Sequence, residues 1–193
     1  MEKSSENQTI AEIGPGPNPV FELFENETFK KIGEGSTYIA IDCSQEEIEK
    51  FKNNFNQKGC EAIMGDLRDL PLKSDSVDQV WLMNVFGGFQ NKPKKLPDGA
   101  LQWSLSLNDV FQELARVMKQ KGKVYIGEIN PPIGNIAWLT DEDYSDFGLE
   151  KKVYKGYEEV KSFLEKMGGR KSISYFLQHE RDYLPFFIEL TKK

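Results

Sequence analysis

The pattern of apolar and polar residues alternates between two periods along the chain. Short apolar, β-branched segments are separated by longer stretches in which apolar residues recur at helical spacing. This alternation predicts an α/β fold in which helices cover both faces of a largely parallel sheet. Strands are predicted at residues 9–14, 36–42, 60–65, 77–86 and 123–129, followed by a closing pair at 172–179 and 185–191.

Local signals for helix ends place helices between these strands. Ser44 and Glu47 have the spacing of a capping box, so we expect one helix to begin after Ser44 and to stop at Gly59. Asn18 is expected to cap an earlier helix that has Pro19 at its first position. That earlier helix is predicted to reach Lys31, and two further helices are predicted at residues 107–121 and 157–167.

The length of the chain favours a single domain. With 193 residues and 38% hydrophobic content, it can bury one sizeable core, so we expect residues 1–193 to form one unit. Residues 87–105 and 129–156 are long connections that follow the fourth and fifth strands. Ligands of open parallel sheets bind beyond the carboxyl ends of the strands, so both connections are candidate covers for a substrate.

Charge and composition exclude several classes of partner. The net charge of −6 repels nucleic acid and anionic lipid, so we favour neither as a partner. No apolar stretch has the length of a membrane span and the first residues lack a signal-peptide core, so we expect a cytoplasmic protein. Cys43 and Cys60 lack the spacing of metal ligands, and we expect reduced core thiols and no metal site.

Three predicted strand ends carry residues suited to binding a nucleoside. Gly14 and Gly16 follow the first strand and let main chain approach a ligand closely, although Pro19 stands where a dinucleotide fingerprint has its third glycine. Asp42 ends the second strand and can accept hydrogen bonds from both hydroxyls of a ribose. Asp66 follows the third strand and can accept from an adenine amino group.

The order of these motifs resembles that of class I S-adenosylmethionine-dependent methyltransferases. The similar segments are "EIGPGPNP", "YIAIDCS", "GDLRDLP", "VDQVWLMNVF" and "ELARVMKQKGKVYIGE", which lie within residues 9–129. The resemblance implies a Rossmann-like three-layer sandwich with a seven-stranded, mostly parallel sheet whose last strand is antiparallel. It also implies S-adenosyl-L-methionine as the cofactor.

By position, the resemblance assigns eight residues to the cofactor. Gly14 and Gly16 would lie under the methionine part, with Glu12 supporting their loop. Asp42 would hold the ribose. The remaining four are Cys43 and Leu67 against the adenine faces, Asp66 at the exocyclic amine, and the backbone of Asn84 at the methionine amino group. The chain departs from the family pattern at Asn18, which replaces the third glycine of the loop.

The implied activity is methyl transfer to a small-molecule acceptor. Direct displacement requires alignment and a dry site more than a particular base, so no catalytic residue is assigned. Two alternatives stay open: a non-catalytic subunit that binds S-adenosylmethionine, and a nicotinamide-dependent oxidoreductase, which Asp42 alone permits but Pro19 and the Asp66 motif disfavour. The pocket is open, covered by residues 87–105, or completed by a second copy in a homodimer.

Overall fold

Seven strands form one mixed sheet in the computed structural model, which describes residues 7–88, 94–95, 101–102, 106–128, 137–169 and 186–193. The strands are β1 Thr9–Ile13, β2 Thr37–Asp42, β3 Cys60–Met64, β4 Val77–Met83, β5 Met118–Glu128, β6 Leu149–Lys155 and β7 Phe186–Lys192. Their order across the sheet is β3-β2-β1-β4-β5-β7-β6, and β7 runs antiparallel to both of its neighbours. The predicted fold class is therefore confirmed.

Helices pack on both faces of this sheet. They are α1 Val20–Leu23, α2 Glu27–Lys30, α3 Gln45–Asn54, α4 Val85–Gly88, α5 Leu107–Val117 and α6 Tyr157–Lys166, with short 3-10 helices at Ala137–Thr140 and Ser145–Phe147. Side chains of alternate residues along the strands enter two separate apolar clusters. One cluster contains Val110 and Leu114 of α5, and the other contains Phe51 of α3 and Phe163 of α6. The alternation of apolar residues thus builds three layers.

The connection from β1 to β2 differs from the single helix predicted at residues 19–31. Two short helices occupy it, and Pro19 rather than Asn18 is the N-cap of α1. The helix is interrupted between α1 and α2, because the Glu25 N–H donates to the Gly168 carbonyl at 3.0 Å. Gly168 lies just after the end of α6. Asn26 then accepts hydrogen bonds from the Thr28 and Phe29 amides and starts α2.

The last strand pairs with a segment that the sequence pattern places in a connection. β7 lies beside β6, residues 149–155, which fall within the predicted cover at 129–156. Residues 129–136 of that cover and the strand predicted at 172–179 lie outside the described residues. Within the other predicted cover, Lys94–Lys95 pair with Leu101–Gln102 as a short antiparallel ribbon. The remaining residues from 89 to 105 also lie outside the described part of the chain.

Three smaller predictions need correction. Helix α5 ends at Val117 rather than near Lys121, because the chain joins the β4 ladder from Met118 onwards. Helix α3 ends at Asn54, before Gly59. Cys43 is exposed and Cys60 is partly buried, so Cys43 is not a core thiol. Among the helices in the described part of the chain, none combines the length and the apolar composition that a membrane span requires.

Candidate functional site

The candidate site lies where the connections of the sheet change direction. β1 pairs with β2 on one side and with β4 on the other. The chain moves outward from β1 through β2 to β3, and then returns to the opposite side of β1 for β4. The connections that leave the carboxyl ends of β1 and β4 therefore diverge and open a crevice, which is where doubly wound sheets bind their ligands.

The loop after β1 provides partly exposed main chain at this crevice. Gly14 and Gly16 have φ values of +66° and +56°, which side-chain-bearing residues rarely adopt. Gly14 N–H donates to the Ile41 carbonyl at 2.8 Å, so the loop continues the β1–β2 ladder. A Cβ on Gly14 would stand 3.3 Å from Cγ2 of Val85, whereas a Cβ on Gly16 would meet none of the described atoms within 4 Å. Within the described part of the chain, Gly16 thus borders open space.

Glu12 supports this loop from inside the protein. Its side chain is 1% exposed, and Oε2 accepts hydrogen bonds from Val20 N at 2.8 Å and from the Tyr38 hydroxyl. The carboxyl group therefore connects the end of β1 to the start of α1, across the loop. Burial raises the pKa of Glu12 to about 8, although both hydrogen bonds favour its charged form.

Asp42 stands at the carboxyl end of β2 with one oxygen engaged locally. Oδ1 accepts from Ser44 N at 2.8 Å, in a turn that leads into α3. Oδ2 accepts no hydrogen bond from the residues that the structure describes. The Ser44 hydroxyl in turn accepts from Glu47 N at 3.4 Å, which gives one of the two bonds expected of the capping box. Asp42 is partly buried, and its neighbour Cys43 is exposed.

Asp66 lies beside Asp42 through the pairing of β2 and β3. Gly65 N donates to the Asp42 carbonyl at 2.9 Å, which holds the two strand ends together. The Asp66 carboxylate accepts from Arg68 N at 2.8 Å and from Arg68 Nε at 2.9 Å, and it also contacts Arg68 Nη2. The hydrogen bonds from the Arg68 guanidinium lower the pKa of Asp66 to about 2. Asp66 is therefore an ionised, oriented acceptor.

The resemblance places the backbone N–H of Leu67, as well as its side chain, beside the adenine. The Leu67 side chain is 5% exposed and belongs to the apolar cluster beneath the sheet edge. The backbone of Leu67, rather than its side chain, is therefore the part that can face a ligand.

Helix α5 holds the Asp66 turn in place, a role that the sequence pattern does not reveal. Glu113 Oε1 accepts from Leu70 N at 2.7 Å, and Glu113 pairs with Arg116 through an Nε–Oε2 distance of 2.6 Å. Arg116 Nη2 also donates to the Leu70 carbonyl at 3.1 Å. The side chains at the E-x-x-R spacing in "ELARVMKQKG" therefore anchor the segment that carries Asp66.

The turn after β4 completes the edge of the crevice. Asn84 is exposed, has a φ of +56°, and donates from its backbone N–H to the Gly127 carbonyl at 2.8 Å. Glu128 ends β5, is 1% exposed, and accepts from Phe86 N through Oε1 at 2.8 Å. Sequence reasoning misses Glu128, although a carboxylate after a buried strand is the same signal that identifies Asp42 and Asp66.

The eight predicted residues thus lie at or next to the carboxyl ends of four adjacent strands, β1 to β4. Glu12 and Leu67 turn their side chains into the core, whereas Asp42, Cys43, Asp66 and Asn84 have side chains that are at least partly accessible. Among the described residues, no group of histidine, cysteine, aspartate or glutamate side chains could hold a metal ion. The arrangement places partly exposed main chain and two carboxylates along one edge of the sheet.

Comparison with protein families gives a match over most of this region. A family model described as "Methyltransferase domain" matches residues 11–126, which include the glycine loop, Asp42, the Asp66 turn and most of the strand after α5. The match covers more than half of the chain.

Individual relatives are distant. A curated protein, the biotin biosynthesis bifunctional protein BioHC of Cellvibrio japonicus, is 22% identical over 161 residues, and the match covers 82% of this chain. The chain spans 26% of the length of that relative.

Several solved structures are similar to this chain in fold, although their sequence identity to it is low. An S-adenosylmethionine-dependent methyltransferase from Aquifex aeolicus has a TM-score of 0.60 at 16% identity, over 97% of this chain and 84% of that one. Phosphoethanolamine N-methyltransferase 2 of Haemonchus contortus, in complex with S-adenosylhomocysteine, has a TM-score of 0.59 at 13% identity, over 99% of this chain and 50% of that one.

Proposed function

Because the chain belongs to the methyltransferase domain family, whose members take a methyl group from S-adenosylmethionine, we propose that it transfers this group to a small-molecule acceptor. The observation that carries the proposal is that the glycine loop, Asp42 and the Asp66 turn follow three adjacent strands at one edge of the sheet, beside its switch point. A non-catalytic binding subunit would share this arrangement, so only turnover distinguishes it from an enzyme.

The residues present fit the cofactor chemically. Open space beside Gly16 admits a ligand next to bare main chain, and the available oxygen of Asp42 suits a ribose hydroxyl. The Asp66 carboxylate is ionised and retains acceptor capacity beyond its bonds to Arg68, which suits an exocyclic amine. When bound, S-adenosylmethionine supplies an electrophilic methyl group on a sulfonium.

The residues of the chain would hold the cofactor in a fixed position and orientation. Asp42 and Asp66 would hold the nucleoside at two separate points, while the loop from Gly14 to Asn18 would hold the amino-acid end. Glu12 keeps that loop at a fixed distance from α1. Fixed geometry of this kind can supply about 7–11 kcal/mol of barrier reduction in a direct displacement. No base is assigned, because direct displacement at the methyl carbon depends mainly on alignment of the acceptor with the sulfonium.

A small molecule is the acceptor class that the charge supports best. The net charge of −6 opposes binding to nucleic acid. The phosphoethanolamine enzyme of Haemonchus contortus and a structure described as a putative sarcosine dimethylglycine methyltransferase, from Galdieria sulphuraria, are named for small substrates, and both share the fold. We also propose a cytoplasmic location and a pocket completed by residues 87–105 or by a second copy.

The proposal is tested by transfer of a radiolabelled methyl group. The purified protein is incubated with labelled S-adenosylmethionine and separate pools of small amines, alcohols and carboxylic acids, with transfer RNA and a peptide mixture as comparison acceptors. We expect label to enter a small-molecule pool. Label found only in the RNA or peptide pool would contradict the proposed acceptor class, and binding of cofactor without any transfer would favour the non-catalytic subunit.

A further inference from the structure

The buried carboxyl group of Glu128 lies at the edge of the site and has no assigned role. We propose that Glu128 is a positioning residue, which fixes the turn between β4 and α4 against the glycine loop and so sets the width of the pocket at the methionine end. This inference rests on the proposed function.

Packing alone does not account for a carboxyl group at position 128, because apolar residues serve that purpose in the rest of β5. Val124 and Ile126 of the same strand are both fully buried and apolar. A carboxyl group with 1% exposure costs free energy unless hydrogen bonds satisfy it. The bond from Phe86 N to Oε1, at 2.8 Å, is a contact through which Glu128 acts on the turn.

Two backbone amides of this turn donate hydrogen bonds to the end of β5 and together fix the turn there. Asn84 N donates to the Gly127 carbonyl at 2.8 Å, and Phe86 N donates to the Glu128 side chain at the same distance. The left-handed conformation of Asn84 redirects the chain between these two points. The Phe86 ring is held separately, because it packs in the core in a stacked arrangement with Phe111, at a centroid distance of 6.3 Å.

The fixed turn faces the glycine loop directly. Val85, between the two anchored amides, brings Cγ2 to within 3.3 Å of the position that a Cβ of Gly14 would occupy. Movement of Val85 would therefore change the space beside Gly14, where the methionine end of the cofactor is proposed to lie. Removing the Glu128 acceptor releases the Phe86 amide while the Phe86 ring stays anchored, so the turn should shift without loss of the fold.

The test compares Glu128→Gln and Glu128→Ala. Glutamine retains an acceptor oxygen for Phe86 N, whereas alanine removes it. Val124→Ala is the matched control, because it removes buried side-chain volume from the same strand without touching the turn. The measurements are the dissociation constant for S-adenosylhomocysteine by calorimetry, at a temperature where circular dichroism shows each variant folded, and the hydrogen-exchange rate of the Phe86 amide in the protein without ligand.

We expect Glu128→Gln and Val124→Ala to bind within about threefold of the wild type, and Glu128→Ala to bind at least about tenfold more weakly, since one buried hydrogen bond of this kind is involved. The Phe86 amide should exchange faster in Glu128→Ala alone. Equal binding by the alanine and wild-type proteins, or equal losses in the alanine and glutamine variants, would overturn the proposal. If the wild type binds no S-adenosylhomocysteine, the proposed function fails, and the exchange rates still decide whether Glu128 fixes the turn.

Discussion

We propose that nucleoside binding depends more on Asp42 than on any other single side chain. Its Oδ1 is held by Ser44 N, so Oδ2 is presented in a defined direction at the end of β2. Asp42→Ala should weaken binding of S-adenosylhomocysteine by about tenfold or more, because a hydrogen bond to a charged group contributes about 1.5–3 kcal/mol. Calorimetric titration measures the loss.

Two further variants separate binding from local structure at Asp42. Asp42→Asn keeps an acceptor for Ser44 N and should fall between the wild type and Asp42→Ala. Glu61→Ala removes an exposed carboxylate near the amino end of β3, at the opposite end of that strand from Asp66, and should leave binding unchanged. Wild-type affinity in Asp42→Ala would show that the ribose lies elsewhere.

Glu12 should make the stability of the protein depend on pH. In the native state its pKa is about 8, against 4.5 for an ordinary glutamate, because burial disfavours the charge. Between these two values the unfolded chain has lost a proton that the native protein retains. The free energy of unfolding therefore falls as pH rises from about 4.5 to about 8, by an amount on the order of 5 kcal/mol. Above about pH 8 Glu12 is ionised in both states, so it causes no further change in the free energy of unfolding.

Glu12→Gln tests this dependence, because glutamine is neutral and keeps an oxygen for Val20 N and the Tyr38 hydroxyl. Urea unfolding from pH 5 to pH 9 should show a shallower fall for Glu12→Gln than for the wild type. Glu61→Gln, on the exposed edge of β3, serves as the control and should follow the wild type. Parallel curves for the wild type and Glu12→Gln would exclude a protonated Glu12 at neutral pH.

At the scale of elements, the break between α1 and α2 depends on a glycine far along the chain. Gly168 has a φ of +76°, and a Cβ there would stand 2.6 Å from the Glu25 carbonyl oxygen. Gly148 has a similar φ of +68°, but a Cβ at that position would meet none of the described atoms within 4 Å. Gly148→Ala should cost about 1–2 kcal/mol from the backbone conformation alone.

Gly168→Ala should cost about 1–3 kcal/mol more than Gly148→Ala, because it adds a steric overlap with Glu25. Denaturant unfolding of both variants measures the difference. Equal losses of unfolding free energy in the two variants would mean that a methyl group at position 168 fits beside Glu25 without overlap.

The same elements show what the sequence pattern can and cannot predict. Strands β1 to β3 and the start of α3 are predictable, because apolar alternation and the Ser44 cap act locally. The strand predicted at 77–86 instead ends at Met83, where the Asn84 turn leads into α4. The α1–α2 break is not, since its cause lies at Gly168, which is distant in the sequence. The pattern misses β6 because "LEKKVYK" is rich in lysine, as suits an edge strand, and gives little apolar signal.

The candidate site is predictable to a similar extent. Gly14, Gly16, Asp42 and Asp66 lie at or just after the ends of their strands, so a parallel sheet brings them to one edge. The contribution of Arg68 to Asp66, and that of Glu113 to Leu70, depends on side-chain directions that no spacing rule fixes. Glu128 acts on the neighbouring strand's turn, which requires knowledge of which strands are adjacent.

At the scale of the whole molecule, topology connects these parts. The order β3-β2-β1-β4-β5-β7-β6 places the change of direction between β1 and β4, and the glycine loop and the Asn84 turn leave from these two strands. Two buried carboxyl groups lie on either side of that point. Glu12 binds the first amide of α1, and Glu128 binds an amide of α4, so each holds one wall of the crevice.

Titration of the wild-type protein with S-adenosylhomocysteine, S-adenosylmethionine and NAD tests the cofactor assignment most directly. Calorimetry should show one-to-one binding of both sulfur-containing ligands and no binding of NAD at the same concentrations. Binding of NAD without either of the other two would contradict the assignment and would favour a nicotinamide-dependent activity at this crevice.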